Sequence, residues 1–239
     1  MSSEFQVPSS KVKLCIALDN PSKEENLKLT KEIKEYSKDI WLKVGFRSFI
    51  RDSKEFIFEL KNMGYNIFLD LKLYDIPNTM ADAAEEITKL NIDMFNVHAS
   101  AGKKAMMEVM DRISKYQKRP LILAVTALTS FSNEEFKKIY GEDIEKKAIE
   151  FAKDAYNAGL DGVVCSVWES LKIKENTSKN FLTLTPGIRP FGESKGDQKR
   201  VADLKAAKEN LVDFIVVGRP IYKSNNPKEV VEKILKEIQ

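Results

Sequence analysis

Apolar residues in this chain gather in eight short runs rich in Val, Ile, Leu and Phe: VKLCIALD (12–19), IWLKVG (40–45), NIFLDLK (66–72), DMFNVHA (93–99), PLILAVTAL (120–128), DGVVCSV (161–167), NFLTLTPG (180–187) and DFIVVG (213–218). Between them lie longer stretches with helical spacing and abundant Lys and Glu, among them SKEENLKLTKEIKEYSK (22–38), IEKKAIEFAKDAYNAG (144–159) and NPKEVVEKILKEI (226–238). Such alternation predicts βα units on a parallel sheet, with the charged positions on the solvated faces of outer helices. Eight units in 239 residues fit a closed (β/α)8 barrel, usually about 250 residues long, better than an open doubly wound sheet. No Pro-rich linker, low-complexity tract or shift in composition divides the chain, so it reads as one α/β domain at 11–239 behind a polar leader at 1–10.

A barrel of this kind places its chemistry at the C-terminal mouth, so polar residues should collect where the strands end. They do: Asp19, Lys43, Asp70 with Lys72, Asn96 with His98, Thr126 with Thr129, Ser166, Thr185 and Arg219.

Composition narrows the ligand class. The formal net charge of +3 arises from 39 basic and 36 acidic residues, a mixed surface without the polycationic footprint of a nucleic-acid binder, while a compact anion remains a fitting ligand. Cys15 and Cys165 are the only cysteines. Both sit in apolar runs, which suits buried thiols in a reducing compartment better than a metal-thiolate site or a disulfide framework. The N-terminal MSSEFQVPSSK has neither a basic nor an apolar signal region, and no stretch approaches the roughly 18 uninterrupted apolar residues of a membrane span. The expectation is a cytoplasmic enzyme with neither a membrane nor a nucleic acid as partner.

The segment FLDLKLYDIPNT (68–79) carries three charges among Phe, Leu and Ile. Strand alternation sets Phe68, Asp70 and Lys72 on one face and Ile67, Leu69, Leu71 and Leu73 on the other. With the aliphatic row under the helices, Asp70 and Lys72 face the barrel interior, where Lys43 arrives from the preceding strand. Isolated charges there cost several kcal/mol, and alternating opposite charges with good hydrogen bonds offset much of that. Lys43, Asp70, Lys72 and Asp75 form such an alternating set. From spacing alone the set reads equally as catalytic machinery or as an ion-pair network closing the barrel, and Asp75 reads as a helix N-cap ahead of Pro77.

These residues also carry a family likeness. ALD (17–19), LKVG (42–45), DLKLYDIPNT (70–79), AVTALTS (124–130), TPGIRP (185–190), GDQKR (196–200) and VVGRPI (216–221) occur in the order seen in orotidine 5'-phosphate decarboxylases of the bacterial type, and the chain resembles them over nearly its whole length. The resemblance implies a homodimeric barrel that converts orotidine 5'-phosphate to UMP and CO₂ without metal or organic cofactor. It implies a catalytic tetrad of Lys43, Asp70, Lys72 and Asp75, with Lys72 protonating C6 of the pyrimidine, Asp70 against the departing carboxylate, and Asp75 contributed across the dimer interface. It further implies that Asp19 binds ribose, that Thr79 reaches the same sugar from the partner, that Thr129 reads the pyrimidine amide edge and that Pro186 walls the base. Gln198 and Arg219 would close over the phosphate, with Arg189 and Gly218 among the substrate-binding residues. Gly218 and Arg219 stand where a strand meets a following helix, a position suited to a phosphate dianion. The glycine-bearing segment at about 187–200 reads as a lid.

His98 is the only histidine, and no serine or cysteine partner for it is signalled, so a supporting polar role at the fourth strand is expected. Trp41 and Trp168 read as packing residues, and Ser166 and Asn96 as groups behind the site. Competing expectations are a metal-dependent sugar-phosphate decarboxylase or lyase on the same barrel, opposed by IPNT and GDQKR, and a non-catalytic nucleotide-binding barrel.

Overall fold

The computed structural model describes residues 12–194, 196 and 199–238; the leader at 1–10 lies outside the described residues. The chain runs β1 (Lys13–Ala17), α1 (Lys23–Glu32), β2 (Ile40–Gly45), α2 (Phe46–Asn62), β3 (Asn66–Leu73), α3 (Pro77–Lys89), β4 (Met94–His98), α4 (Lys103–Ile113), β5 (Leu121–Val125), α5 (Asn133–Tyr140), α6 (Ile144–Asn157), β6 (Gly162–Val164), α7 (Val167–Asn176), β7 (Leu182–Thr185), α8 (Leu204–Glu209), β8 (Phe214–Val217), α9 (Arg219–Tyr222) and α10 (Pro227–Ile238). Each strand pairs in parallel with the next and β8 returns to β1, closing the barrel. Every apolar run contains a strand, as expected. The shortest is β6, where Gly162 comes so close to β7 that a Cβ would overlap the Leu182 carbonyl. Among the described residues, no helix is long and apolar enough to cross a membrane.

Alternation along the strands divides the core in two. On β1, Leu14 and Ile16 join the shell beneath the helices, while Cys15 and Ala17 enter the barrel with Phe68, Met94, Leu123 and Phe214. Trp41 packs edge-on against Phe214 there, with ring centroids 5.2 Å apart. The interior is therefore filled by side chains beneath a cavity at the C-terminal ends of the strands.

The opposite rim repeats one device three times. Asp93, Asp161 and Asp213 immediately precede β4, β6 and β8. Their carboxylates accept the backbone N–H of Ile67, Ile122 and Thr183 in the neighbouring strands, at 2.8, 2.8 and 2.7 Å. Each also pairs with a cation, Lys61, Arg119 and Lys174 respectively. Backbone donors at the start of the ladder are thereby satisfied, which binds adjacent strands at the end away from the mouth.

Candidate active site

A cavity of about 440 Å³ opens at the C-terminal mouth. Asp19, Lys43, Asp70, Lys72, Thr129, Pro186, Arg189, Gly218 and Arg219 all line it, drawn from six strand ends and the segments that follow them. Asp75 and Thr79 are instead exposed on the segment after β3 and on the first turn of α3. Gln198 lies outside the described residues.

On the β1–β3 side the charges form a continuous chain. Lys43 Nζ stands 3.3 Å from Asp19 Oδ1 and 3.5 Å from Asp70 Oδ2, and Lys72 Nζ donates to Asp70 Oδ1 at 2.6 Å. Burial pushes the Asp70 carboxyl up, and the charges of Lys43 and Lys72, with hydrogen bonds from Lys72 and Asn96, more than reverse this and hold it below the ordinary aspartate value. Burial likewise opposes the charge on Lys43, but Asp70 and Asp19 outweigh it and hold the ammonium above the ordinary lysine value. Both members of the pair therefore remain ionised at neutral pH. The Phe46 ring, half exposed at the mouth, lies 5.6 Å from Lys72 Nζ.

Asp70 and Lys72 share the cavity as alternation predicts, but not through regular strand geometry. Leu69 is opposite Phe95 and Leu73 opposite Val97, so four steps along β3 match two along β4. The excess is absorbed in a bulge in which Lys72 takes φ 47°, a left-handed conformation uncommon for a residue with a Cβ. The displaced Lys72 N–H is accepted by Asn96 Oδ1 at 2.7 Å, and Asn96 Nδ2 donates to Asp70 Oδ1 at 2.7 Å.

The β7–β8 side is cationic. Arg189 is buried, donating from Nε to the Ser194 carbonyl at 2.7 Å, and Arg219 begins α9. Because α9 has only four residues, little dipole accumulates, and the guanidinium supplies most of the positive charge there. The ends of the 187–200 segment are joined at an Ile188–Ala202 bridge, and the Thr129 carbonyl accepts the N–H groups of Lys199 and Arg200 at 3.1 and 3.2 Å. The Arg200 guanidinium pairs with buried Glu169 and donates to the Ala127 carbonyl at 3.2 Å. Gly196 has φ 61° and lies against Arg219, so closely that a Cβ would overlap the guanidinium.

Two residues, Asp75 and Trp168, differ from expectation. Asp75 is not the N-cap of α3; Ile76 occupies that position, and Asp75 Oδ1 accepts only its neighbour's N–H, that of Ile76, at 2.7 Å among the described contacts. Ile76 has no side-chain acceptor, so the helix starts without a side-chain cap and with Pro77 at its first position. Trp168 is 51% exposed on the first turn of α7 and is not a core residue. His98 turns its Nδ1 to Ser100, 2.6 Å from the hydroxyl, and burial followed by the Lys72 charge lowers its pKa. Ser166 caps α7, and the hydroxyls of Thr126 and Thr185 bond to the backbone of adjacent strands. Tyr222 lines the cavity with no advance signal in the sequence, and Asn96, expected behind the site, makes two hydrogen bonds to its charged residues.

The family model for the orotidine 5'-phosphate decarboxylase / HUMPS family matches residues 12–234. An orotidine 5'-phosphate decarboxylase of Nautilia profundicola is 73% identical over 228 residues, covering 95% of this chain and 99% of the relative. One of a Nitratiruptor species is 69% identical, covering 94% and 99%. Among solved structures, orotidine 5'-phosphate decarboxylase from Lactobacillus acidophilus superposes with a TM-score of 0.83 at 35% identity, covering 95% of this chain and 99% of that one.

Proposed function

We propose, from the premise that this chain belongs to the orotidine 5'-phosphate decarboxylase / HUMPS family, that it converts orotidine 5'-phosphate to UMP and carbon dioxide. It is a carboxy-lyase, and the reaction is the last step of de novo pyrimidine nucleotide biosynthesis. The observation that carries the reading is a single cavity with the Lys43–Asp70–Lys72 chain on one side and Arg189 with Arg219 on another.

Loss of CO₂ from the pyrimidine ring leaves the bonding pair on C6 as an sp² carbanion, with no electron sink to receive it. Rate enhancement must then come from charges already in place that favour the carbanion over the carboxylate. Lys72 supplies an ammonium that faces C6 and transfers its proton there. Asp70, held ionised, stands against the departing carboxylate, while Lys43 and Asp75 orient the pair. Asp19 and Thr79 hold the ribose, Thr129 reads the amide edge of the base and Pro186 walls it. Arg219, Gly218, Arg189 and Gln198 bind the phosphate end, with the 187–200 segment as a lid that excludes water.

The active form is a homodimer in which Asp75 and Thr79 complete the neighbouring site. Their exposure supports this, as do Tyr74 and Ile76 beside Asp75, apolar side chains 64% and 67% exposed that a second copy would cover. The charges needed come from side chains, so no metal or organic cofactor takes part. The buried, unpaired thiols of Cys15 and Cys165, whose pKa values burial raises, suit a cytoplasmic setting. Purified protein given orotidine 5'-phosphate with a chelator present should bleach the orotate absorbance; absence of turnover at high enzyme concentration would refute the reading.

A further inference from the structure

We propose that Asn96 is a positioning residue for the decarboxylation, a side-chain clamp that sets Lys72 and Asp70 relative to each other. The proposal rests on the roles given above to those two residues.

The β3–β4 ladder is interrupted where the reacting groups sit. Between the Leu69–Phe95 and Leu73–Val97 pairs, β3 carries two residues more than β4, so the backbone of Lys72 has no ladder partner at its own level. Asn96 stands between Phe95 and Val97, opposite the bulge, and is 1% exposed. Its Oδ1 accepts the Lys72 N–H in place of the missing ladder carbonyl, and its Nδ2 donates to Asp70 Oδ1, each at 2.7 Å. Both partners fix the amide orientation, because an N–H requires the oxygen and a carboxylate requires the nitrogen.

One planar group thus ties the backbone of the acid to the carboxylate that opposes it. Asp70 Oδ1 receives Lys72 Nζ and Asn96 Nδ2 together, while Oδ2 faces Lys43. A partly buried N–H left unsatisfied, in a residue already at φ 47°, would favour relaxation of the bulge toward regular strand. The Lys72 ammonium would then move relative to C6. Near-attack geometry tolerates little displacement, so the cost falls on the chemical step. The groups that hold the nucleotide at its phosphate and base lie on other strands and are untouched.

Three variants separate the parts. Asn96→Ala removes both bonds; Asn96→Asp keeps an acceptor for Lys72 and sets a like charge beside Asp70; Asn96→Ser is a smaller polar substitute. With orotidine 5'-phosphate as substrate, Asn96→Ala should lower kcat about 10- to 100-fold and leave UMP affinity within about threefold. Asp70 is faced by Lys43 from β2, Lys72 from its own strand and, beyond Lys43, Asp19 after β1, with the Cys15 thiol beneath. Loss of the Asn96 donor should therefore move the acid limb of kcat/KM to higher pH, further in Asn96→Asp than in Asn96→Ala. A purely structural role would lower the thermal midpoint without this split. An unchanged kcat and acid limb in Asn96→Ala, or in Asn96→Ser should the alanine variant not fold, overturns the proposal. Lys72→Ala, measured alongside, distinguishes the premises: full activity there refutes the role of Lys72 itself, whereas an inactive Lys72→Ala beside an unaffected Asn96 variant refutes only the clamp.

Discussion

Lys72 and Asp70, two residues apart on one strand, meet at 2.6 Å across a bulge in which the lysine backbone is left-handed. A local backbone irregularity and a charge pair are thus the same feature, and it lies where the proposed chemistry occurs. Lys72→Ala should reduce kcat at least about a thousandfold, with UMP binding little changed by isothermal titration. A large loss of UMP affinity would mean that Lys72 binds the nucleotide and does not act on it.

Asp70 adds a pH signature. Its folded pKa is depressed, so the stability it contributes is fully present above the ordinary aspartate value of about 3.9 and is lost as pH falls through the depressed value. The difference in unfolding free energy between wild type and Asp70→Asn should therefore be constant from neutral pH down to about pH 5 and shrink below about pH 4. Urea titrations across that range measure it.

The proposed sharing of Asp75 between subunits predicts complementation. In a mixed dimer of Lys72→Ala and Asp75→Asn subunits, one site carries both substitutions and the other neither. Random exchange between two inactive preparations should restore about a quarter of wild-type activity. No recovery, with exchange verified by mass spectrometry, would refute a site built from two chains.

Arg219 at the start of α9 should act on the phosphate alone. Arg219→Ala should weaken UMP about 10- to 100-fold and leave uridine affinity unaltered. Equal losses for nucleotide and nucleoside would place the arginine elsewhere in the recognition of substrate.

The pair of Arg200 with Glu169 is the buried anchor of the 187–200 segment, the carboxylate side chain being 3% exposed. Arg200→Met leaves that carboxylate without its cation and should cost about 3 kcal/mol at neutral pH. Burial already raises the Glu169 pKa, and loss of Arg200 raises it further, so the folded variant binds a proton more readily than the unfolded chain. Its stability should accordingly recover as pH falls through the raised value toward the ordinary one for glutamate. Thermal unfolding at a series of pH values tests the sign.

The strands and their facing were legible because alternation is local: the neighbours two residues away report whether Cys15, Lys43 or Phe68 turns inward. The same logic, together with motif order, marks nine of the residues that line the cavity. Asp75 resisted it, since an acidic residue just ahead of a proline-started helix has the local form of a cap whether or not it caps. Trp168 resisted it too, because the first turn of a helix packs or protrudes according to what lies beside it.

The left-handed turn at Lys72 had no local signal, and for Asn96 alternation indicated a polar group behind the site but not the two bonds it makes. The turn and the bonds arise from how many residues of β3 oppose how many of β4, a register between segments that are 24 positions apart at the Lys72–Asn96 bond. Composition and periodicity put the charged residues at the mouth of a barrel. Their separation, ionisation and mutual orientation follow from strand pairing and burial, because the energy of a charge depends on its distance to partners and on the water excluded around it, quantities that exist only once distant segments meet.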